Sequence, residues 1–281
     1  MHLACGNRDL DLTTPVVMGV LNVTPDSFSD GGRYLGVDAA VEHGLRMVEE
    51  GAAIVDVGGE STRPGAALVS AQEEIDRVVP VIERMAARSR VAISVDTSKP
   101  EVMAAAVAAG AHIINDVRAL RAPGSLSAAA TSGAAVCLMH MQGDPATMQA
   151  DPHYGDVVGE VTDFLAERIA ACTAAGIERG RLCIDPGIGF GKRVQHNLAL
   201  IERLPVLAGL GVPVLVGVSR KSLIGMITGR PAQNRLAGSI ALAALCVERG
   251  ASIIRAHDVP ETVDAVKIAV ALARRGATAG V

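Results

Sequence analysis

Short apolar runs alternate with longer amphipathic segments along almost the whole chain. Eight runs rich in β-branched and aliphatic residues predict strands, at 16–21, 53–57, 92–95, 112–114, 135–139, 182–184, 212–216 and 252–254. These runs are apolar throughout rather than at every second position, which is typical of strands that are buried on both faces. The pattern therefore predicts a parallel sheet covered by helices.

Helical periodicity fills the segments between the runs. These segments lie at 38–50, 71–89, 100–109, 124–132, 156–175, 195–207, 234–249 and 260–275. Strand–helix units repeated over about 265 residues favour a closed (β/α)8 TIM barrel of the α/β class over an open doubly wound sheet. We expect residues 1–281 to form a single domain. Residues 1–15 predict a short N-terminal β-hairpin around Gly6 and Asn7 that caps the bottom of the barrel.

The first strand leads into a long polar connection. Residues 18–32 have the sequence MGVLNVTPDSFSDGG, which turns polar at Asn22 and carries Phe28 and Asp30 among turn-forming residues. Roughly sixteen residues separate this strand from the next helical segment, whereas most connections need about 2–6. A connection of this length is usually functional or disordered, and its mixture of amide, carboxylate and aromatic side chains indicates a functional loop.

Composition and charge narrow the class of protein. The net charge is −4, so the chain lacks the basic footprint of a nucleic-acid-binding protein. Its five cysteines form an odd set without a C-x-x-C pair, which predicts free thiols in a reducing compartment. No apolar run reaches the roughly 18 residues that a membrane span needs. We expect a cytoplasmic protein that binds neither nucleic acid nor membrane.

Nearly every predicted strand is followed by polar or charged residues. They are Asn22, 58–65, Asp96, Asn115, Asp116, His140, Asp185, 219–222, Arg255 and His257. In a barrel of this class the carboxyl ends of the strands form the active site, although some of these residues can instead cap loops or helices. Adjacent strand residues point in opposite directions, and we expect Asn115 to point inward and Asp116 to cap a loop.

One set of strand-end residues suits a heterocycle. Asp96, Asn115 and Asp185, together with Lys221, can bind a ring that presents both hydrogen-bond donors and acceptors, such as an aminopyrimidinone. Taken singly, each aspartate is more simply explained as a helix N-cap or a solvated carboxylate. The functional interpretation therefore depends on the convergence of these residues at one end of the barrel.

A second set suits phosphate. Arg63, Arg255 and His257 are basic, and arginine forks match the geometry of phosphate oxygens. Mg²⁺ commonly takes few protein ligands in addition to phosphate oxygens, and Asn22 is a candidate ligand. A lone arginine near a loop is usually solvated, whereas three basic residues at one end of a barrel favour an anion site.

The segment 185–192, DPGIGFGK, superficially resembles a nucleotide-binding loop. A Walker loop that ends at Lys192 requires glycine at position 186 and serine or threonine at position 193, where the chain has Pro186 and Arg193. The glycines instead favour close approach of the backbone to a flat ligand beside Phe190. In a chain with 2% aromatic residues, Phe28 and Phe190 either stack on an aromatic substrate or simply anchor their loops.

The segment 219–222, SRKS, directly follows a predicted strand and opens a short helical segment. Free backbone amides at a helix start, together with Lys221, favour an anion such as a carboxylate. The histidines show no HExxH pattern or paired spacing, so the sequence gives little support to a zinc site.

Eight motifs bring a family into view. They occur in order between residues 16 and 266: LNVTPDSFSDGG, DVGGESTRPGA, SVDTSKP, HIINDV, CLMHMQG, DPGIGFGK, VGVSRKS and IIRAHDV. Together they resemble the motifs of the bacterial dihydropteroate synthases of folate biosynthesis. The segments LMHMQG and GESTRPG keep the forms associated with ordinary, sulfonamide-sensitive members.

The resemblance implies a pterin-binding barrel that is usually a homodimer. Its reaction joins 6-hydroxymethyl-7,8-dihydropterin diphosphate to p-aminobenzoate and releases diphosphate. It also implies that Mg²⁺ binds with the diphosphate and that Asn22 contacts this metal. Sulfonamides mimic p-aminobenzoate and would bind in its place.

The resemblance further assigns roles to the residues that match family motifs. The pterin would contact Asp96, Asn115, Met139, Asp185, Phe190, Gly217 and Lys221. The diphosphate would contact Asn22, Thr62, Arg63, Arg255 and His257. The p-aminobenzoate or sulfonamide would contact Phe28, Thr62, Pro64, Phe190, Lys221 and Ser222. Catalysis would depend on Asp30, Arg63, Asp96, Asp185, Lys221, Arg255 and His257.

Two other functions remain open on this pattern. A methyltetrahydrofolate-dependent methyltransferase shares the pterin-binding barrel but needs neither Mg²⁺ nor the long loops at 24–32 and 61–65. A catalytically inactive paralogue would bind pterin without turnover. The retention of Asn22, Arg63, Lys221, Arg255 and His257 weighs against an inactive paralogue.

Overall fold

The computed structural model describes residues 1–24, 32–61, 69–144 and 147–278. An N-terminal hairpin pairs β1 (His2–Cys5) with β2 (Arg8–Asp11). The strands that follow are β3 (Val16–Asn22), β4 (Ile54–Gly58), β5 (Ala92–Asp96), β6 (Ile113–Asp116), β7 (Ala135–Met139), β8 (Leu182–Asp185), β9 (Leu215–Gly217) and β10 (Ile253–Ala256). The helices are α1 (Gly32–Glu49), α2 (Ala71–Arg88), α3 (Pro100–Ala108), α4 (Ser125–Ser132), α5 (Val157–Ala174), α6 (Val194–Glu202), α7 (Leu204–Ala208), α8 (Ser222–Thr228), α9 (Leu236–Glu248) and α10 (Val259–Thr278).

Strands β3 to β10 form one parallel barrel. Their order is β8-β7-β6-β5-β4-β3-β10-β9, and a parallel bridge between Ile184 and Val214 joins the two outer strands. The sheet therefore closes on itself with helices outside it, which confirms the predicted (β/α)8 barrel. That the whole chain is one domain stays a prediction.

Two predicted helices differ from the structure. Segment 195–207 forms two helices, α6 and α7, which meet at Arg203. Pro205 is tolerated in the first turn of α7, but in a continuous helix its ring would clash with the carbonyl group of Ile201. The first helix begins at Gly32 rather than at residue 38, because the glycines at 32 and 36 weaken the helical signal of its first turns.

The hairpin closes the bottom of the barrel, as predicted. Leu3, Cys5 and Leu12 pack against the first inward-facing side chains of the strands, among them Met18 and Ile54. These side chains are almost fully buried. The lower interior is therefore apolar, and polar side chains gather at the opposite, carboxyl end of the barrel.

No helix in the described ranges is long and apolar enough to cross a membrane.

The hairpin seal can be tested by removing one side chain. Leu3 is 0% exposed, so Leu3→Ala is expected to lower the free energy of unfolding by about 2–5 kcal/mol through lost burial and a residual cavity. Urea unfolding measures this difference. Leu198→Ala, at a position 42% exposed, is the control and should change stability by less than about 0.5 kcal/mol. Equal effects of the two substitutions would contradict the seal.

Candidate active site

A row of registered strand ends forms one side of the candidate site. Asn22 pairs with Gly58, Gly58 with Asp96, and Asp96 with Asn115 across β3 to β6. A Cβ atom at Gly58 would lie 3.8 Å from Asn22 Oδ1 and 3.9 Å from Asp96 Oδ2. Glycine therefore keeps the space between the amide and the carboxylate clear of protein.

Arg255 on β10 links the two predicted sets of site residues. Its Nη2 donates to Asp96 Oδ2 at 2.8 Å, and its Nε donates to Asp56 Oδ2 at 2.7 Å. The same Asp56 oxygen accepts from Asn115 Nδ2 at 3.0 Å, which confirms that Asn115 points inward. Gly217 pairs in register with Arg255 and adds no side chain beside it. The guanidinium group is thus held by two carboxylates inside the barrel.

Asp56 was not among the residues predicted from the sequence. It lies within a predicted apolar run, is 0% exposed, and its Oδ1 has no hydrogen-bond partner among the described residues. A carboxylate inside a strand buried on both faces requires a buried cation or donor. The position of an aspartate within an apolar run was therefore a signal in the sequence that Asp56 has a buried partner. The sequence could not show that this partner is Arg255.

Burial and charge shift the pKa values of this group in opposite directions. Burial raises the pKa of Asp96 to about 7, although Arg255 lowers it. Burial would lower the pKa of Arg255, but Asp56 and Asp96 raise it above its usual value. Arg255 therefore stays charged at all working pH values, whereas Asp96 titrates near neutrality.

Asp185 and Lys221 form the opposite side of the site. Asp185 Oδ1 accepts from the Gly187 N–H at 2.7 Å. Burial raises the pKa of Asp185, and the charge of Lys221 offsets part of this rise. Lys221 Nζ donates to the Ile188 carbonyl group and lies 4.2 Å from the centroid of the Phe190 ring. Burial lowers the pKa of Lys221 to about 8.

An apolar surface lies beside these polar groups. Val117, Met139, Met141 and Met148 form a buried cluster, and Phe190 packs against it. Met139 is the register partner of a predicted site carboxylate, Asp185. A flat ring could pack on this surface while its polar edge meets the carboxylates.

The side chains of the SRKS segment, residues 219–222, have different surroundings. Ser219 Oγ accepts from the His257 N–H at 3.2 Å and lies 3.1 Å from His257 Nδ1. Arg220 turns away and forms a two-pronged ion pair with Asp258. Ser222 is the first residue of α8 and is exposed. Lys221, by contrast, lies close enough to Asp185 and Asp96 for both of their charges to raise its pKa.

A second ionic group lies beside the row of strand ends. Lys99 Nζ contacts Glu60 Oε2 at 2.6 Å and also contacts Glu74, whose side chain is 0% exposed. Burial would lower the pKa of Lys99, but hydrogen bonds to Glu60 and Glu74 raise it. Glu60 Oε1 also accepts from the Val69 N–H at 3.1 Å. These contacts tie together the residues on either side of segment 62–68.

Five predicted site residues lie outside the described residues: Phe28, Asp30, Thr62, Arg63 and Pro64. The residues placed together are those of the pterin set with Asn22, Arg255 and His257. Asp116 instead accepts from the Arg118 and Leu120 N–H groups at 2.8 and 2.7 Å. This contact confirms that Asp116 caps a loop.

The donor atoms of the described residues fit a metal ion that is coordinated mainly by a bound phosphate group and water, with few ligands from the protein. Within the described ranges, no group of three or more His, Cys, Asp or Glu side chains could hold a metal ion. Asn22 offers one amide oxygen beside the clear space at Gly58. This arrangement suits Mg²⁺, which often takes one or two protein ligands and completes its shell with phosphate oxygens and water.

Comparison with known proteins identifies the family. The model of the family described as pterin binding enzyme matches residues 18–257. This chain belongs to the pterin-binding enzyme family.

Similar proteins include dihydropteroate synthases of several bacteria. The chain is 54% identical over 268 residues to the dihydropteroate synthase of Escherichia coli, covering 95% of each chain. The Xanthomonas albilineans dihydropteroate synthase structure with 4-aminobenzoic acid is 56% identical at a TM-score of 0.91, covering 96% of this chain and 97% of that one. The structure of that enzyme with 7,8-dihydropteroate is 53% identical at a TM-score of 0.88, covering 97% and 98%.

The raised pKa of Asp96 predicts a pH dependence of stability. Its pKa is about 7 in the folded protein and about 3.9 in an unfolded chain, so the folded state binds the proton more tightly. The resulting stabilisation is complete below the unfolded pKa and is lost as the pH rises through 7. Asp96→Asn should therefore flatten the decline in unfolding free energy between pH 5 and pH 8.

Urea unfolding at both pH values measures the decline. Asp163→Asn, at an exposed position on α5, is the control and should keep the decline of the parent protein. An equal decline in Asp96→Asn and the parent would contradict the shifted pKa.

Proposed function

We infer that this protein is a dihydropteroate synthase, which joins 6-hydroxymethyl-7,8-dihydropterin diphosphate to p-aminobenzoate and releases diphosphate. The observation that carries this inference is the ion pair between Arg255 and Asp96. It joins a residue of the predicted diphosphate set to a residue of the predicted pterin set. A substrate that carries the diphosphate on the methylene group of the pterin requires this proximity.

The pterin edge matches the donors and acceptors of the site. The carboxylates of Asp96 and Asp185 can accept from the exocyclic amine and ring N–H groups, and Asn115 and Lys221 can donate to ring acceptors. Phe190 and Met139 offer the apolar surface for the ring. Because an analogue that lacks one of these groups would leave a buried polar atom unpaired, the site should discriminate strongly between heterocycles.

The diphosphate is proposed to bind where Asn22, Arg255 and His257 lie, with Thr62 and Arg63. Mg²⁺ would bind with the diphosphate and Asn22, and when bound it neutralises charge on the leaving group. The p-aminobenzoate, or a sulfonamide in its place, is proposed to bind at Phe28, Thr62, Pro64, Phe190, Lys221 and Ser222.

The reaction exchanges one bond for another at the methylene carbon. The bond from this carbon to the diphosphate oxygen breaks, a bond to the amine nitrogen of p-aminobenzoate forms, and the amine loses a proton to solvent. We propose that the bond to oxygen breaks first, because the pterin ring delocalises the resulting cation. Asp96 and Asp185, with Asp30, would stabilise that cation electrostatically. A secondary deuterium isotope effect near unity at the methylene group would contradict this order.

The function is tested by diphosphate release from the pterin substrate, with and without p-aminobenzoate and with and without Mg²⁺. We expect release that depends on Mg²⁺, rises strongly with p-aminobenzoate and yields dihydropteroate. Tight pterin binding without turnover would instead support the inactive paralogue, and methyl transfer from methyltetrahydrofolate would support the methyltransferase.

Substitutions separate the two halves of the site. Asp185→Asn should weaken binding of the pterin substrate by about tenfold or more, because a buried charged acceptor is lost. Arg63→Ala should chiefly slow turnover, by about a hundredfold, because it removes charge stabilisation of the leaving group. Calorimetric titration and steady-state kinetics measure the two effects, with Asp163→Asn as the control. Unfolding of both variants, shown by circular dichroism, would contradict the assignment.

A homodimer is proposed from exposed apolar side chains on neighbouring helices. Met226 and Ile227 on α8, Leu245 on α9, and Ile268 and Leu272 on α10 are 41–67% exposed. Apolar side chains grouped on one side of a protein commonly mark an interface.

A cytoplasmic location is proposed from the cysteines. All five are free and buried, which is typical of proteins in a reducing compartment.

The dimer is tested by placing a charge on this apolar surface. Ile268→Asp should shift the mass measured by light scattering from dimer to monomer, because the charge would lose its hydration in the interface. Arg88→Asp on α2, outside the proposed surface, is the control and should remain dimeric. A monomeric parent protein would contradict the proposal.

A further inference from the structure

Lys192 is a buried cation that the proposed chemistry does not use. Its side chain is 2% exposed, and its Nζ lies 2.9 Å from His140 Nδ1. It also donates to the carbonyl groups of His140, Gly187 and Phe190 at 3.3, 3.1 and 3.0 Å. An ammonium group has three donors, so these four acceptors occupy it fully.

The neighbouring histidine is suited to accept from this cation. Burial and, after it, the charge of Lys192 lower the pKa of His140 to about 3. The imidazole is therefore neutral, and its Nδ1 can accept a hydrogen bond. Burial lowers the pKa of Lys192 to about 7, while Asp185 raises it. Four acceptors around Nζ favour the protonated form.

The loop between β8 and α6 depends on side chains for its hydrogen bonds. The Gly189 N–H donates to Asn197 Oδ1 at 2.7 Å, and the Gly189 carbonyl group accepts from Gln149 at 2.6 Å. Tyr154 donates to the Gly191 carbonyl group at 2.9 Å. A loop held in this way has no regular secondary structure to restore it when one of these side chains is removed.

Glycine allows the loop to approach the end of β7 closely. Gly187 has a φ angle of +69°, and a Cβ atom there would lie 1.9 Å from the carbonyl oxygen of His140. Lys192 bridges the carbonyl groups of these same two residues. The ammonium group therefore stabilises a close backbone contact in which the two carbonyl groups would repel each other if no cation lay between them.

The same loop carries groups of the candidate site. Lys221 donates to the Ile188 carbonyl group and lies over the Phe190 ring. Asp185 accepts from the Gly187 N–H. Each of these contacts requires the loop to remain in place on β7.

We propose that Lys192 is a positioning residue for the pterin half of the site: it fastens the β8–α6 loop to β7, so that Phe190 and the Ile188 carbonyl group hold Lys221 in place. The assignment of a pterin ligand rests on the proposed function, whereas the fastening of the loop does not. Lys192 touches no substrate in this scheme and acts through the loop alone.

The test compares Lys192→Met with Lys267→Met, a lysine on α10 that is 74% exposed. Calorimetric titration with 6-hydroxymethyl-7,8-dihydropterin diphosphate and Mg²⁺, well below each melting temperature, should show about tenfold or weaker binding for Lys192→Met. Because Phe190 and Lys221 are also assigned to the p-aminobenzoate site, the KM for p-aminobenzoate at saturating pterin substrate should rise as well. Lys192→Gln keeps two N–H donors and should recover part of the affinity that Lys192→Met loses. If Lys192→Met does not fold, Lys192→Gln is compared with Lys267→Met instead and should show a smaller loss of affinity.

A spectroscopic measurement needs no substrate. The chain contains no tryptophan, so Phe190→Trp introduces a single tryptophan, which can be excited selectively, into the apolar cluster. Adding Lys192→Met should shift its emission to longer wavelength, because the loop leaves the cluster, whereas adding Lys267→Met should not.

The outcomes separate this inference from the proposed function. A folded Lys192→Met variant with unchanged pterin affinity and unchanged emission would overturn the inference. A parent protein that fails to bind the pterin substrate would contradict the proposed function, while the emission shift would still decide whether Lys192 fastens the loop.

Discussion

The site depends on the placement of one guanidinium group inside the barrel. Arg255 is held by Asp56 and Asp96 from two neighbouring strands, β4 and β5, across the interior from β10. A buried arginine without such partners would be strongly destabilising, and so would either carboxylate alone. The three charges therefore constrain one another, and the rigid planar geometry of the guanidinium group orients both acids.

This constraint is possible because the barrel separates an apolar end from a polar end. The hairpin and the first inward-facing side chains exclude water from the bottom. The charged residues are placed at the carboxyl ends of the strands, where the register of β3 to β6 aligns Asn22, Asp96 and Asn115. The apolar layer stabilises the barrel. The strand ends can therefore carry buried charged side chains, which by themselves would destabilise the fold.

Two further lysine residues, Lys99 and Lys192, support the same arrangement from outside it. Lys99 joins Glu60 and Glu74 beside the first strands, and Lys192 joins the ends of β7 and β8 through His140 and its loop. Neither cation contacts the central acids directly. Lys99 follows β5 and Lys192 follows β8, and both residues lie outside helices and strands, so side-chain charge replaces the hydrogen bonds that a helix or strand would supply.

The sequence alone determined the barrel and most of the chemistry, because both depend on local patterns. Uniformly apolar runs predict strands buried on both faces, and the polar residues that follow them must meet at one end of a parallel barrel. Asp96, Asn115, Asp185 and Lys221 could therefore be grouped from their positions along the chain. Only the tertiary structure showed that Asp56 pairs with Arg255, 199 residues away, and that Lys192 donates to the carbonyl groups of His140 and Gly187. A partner across the barrel depends on register, closure and side-chain direction, which no local pattern of residues encodes.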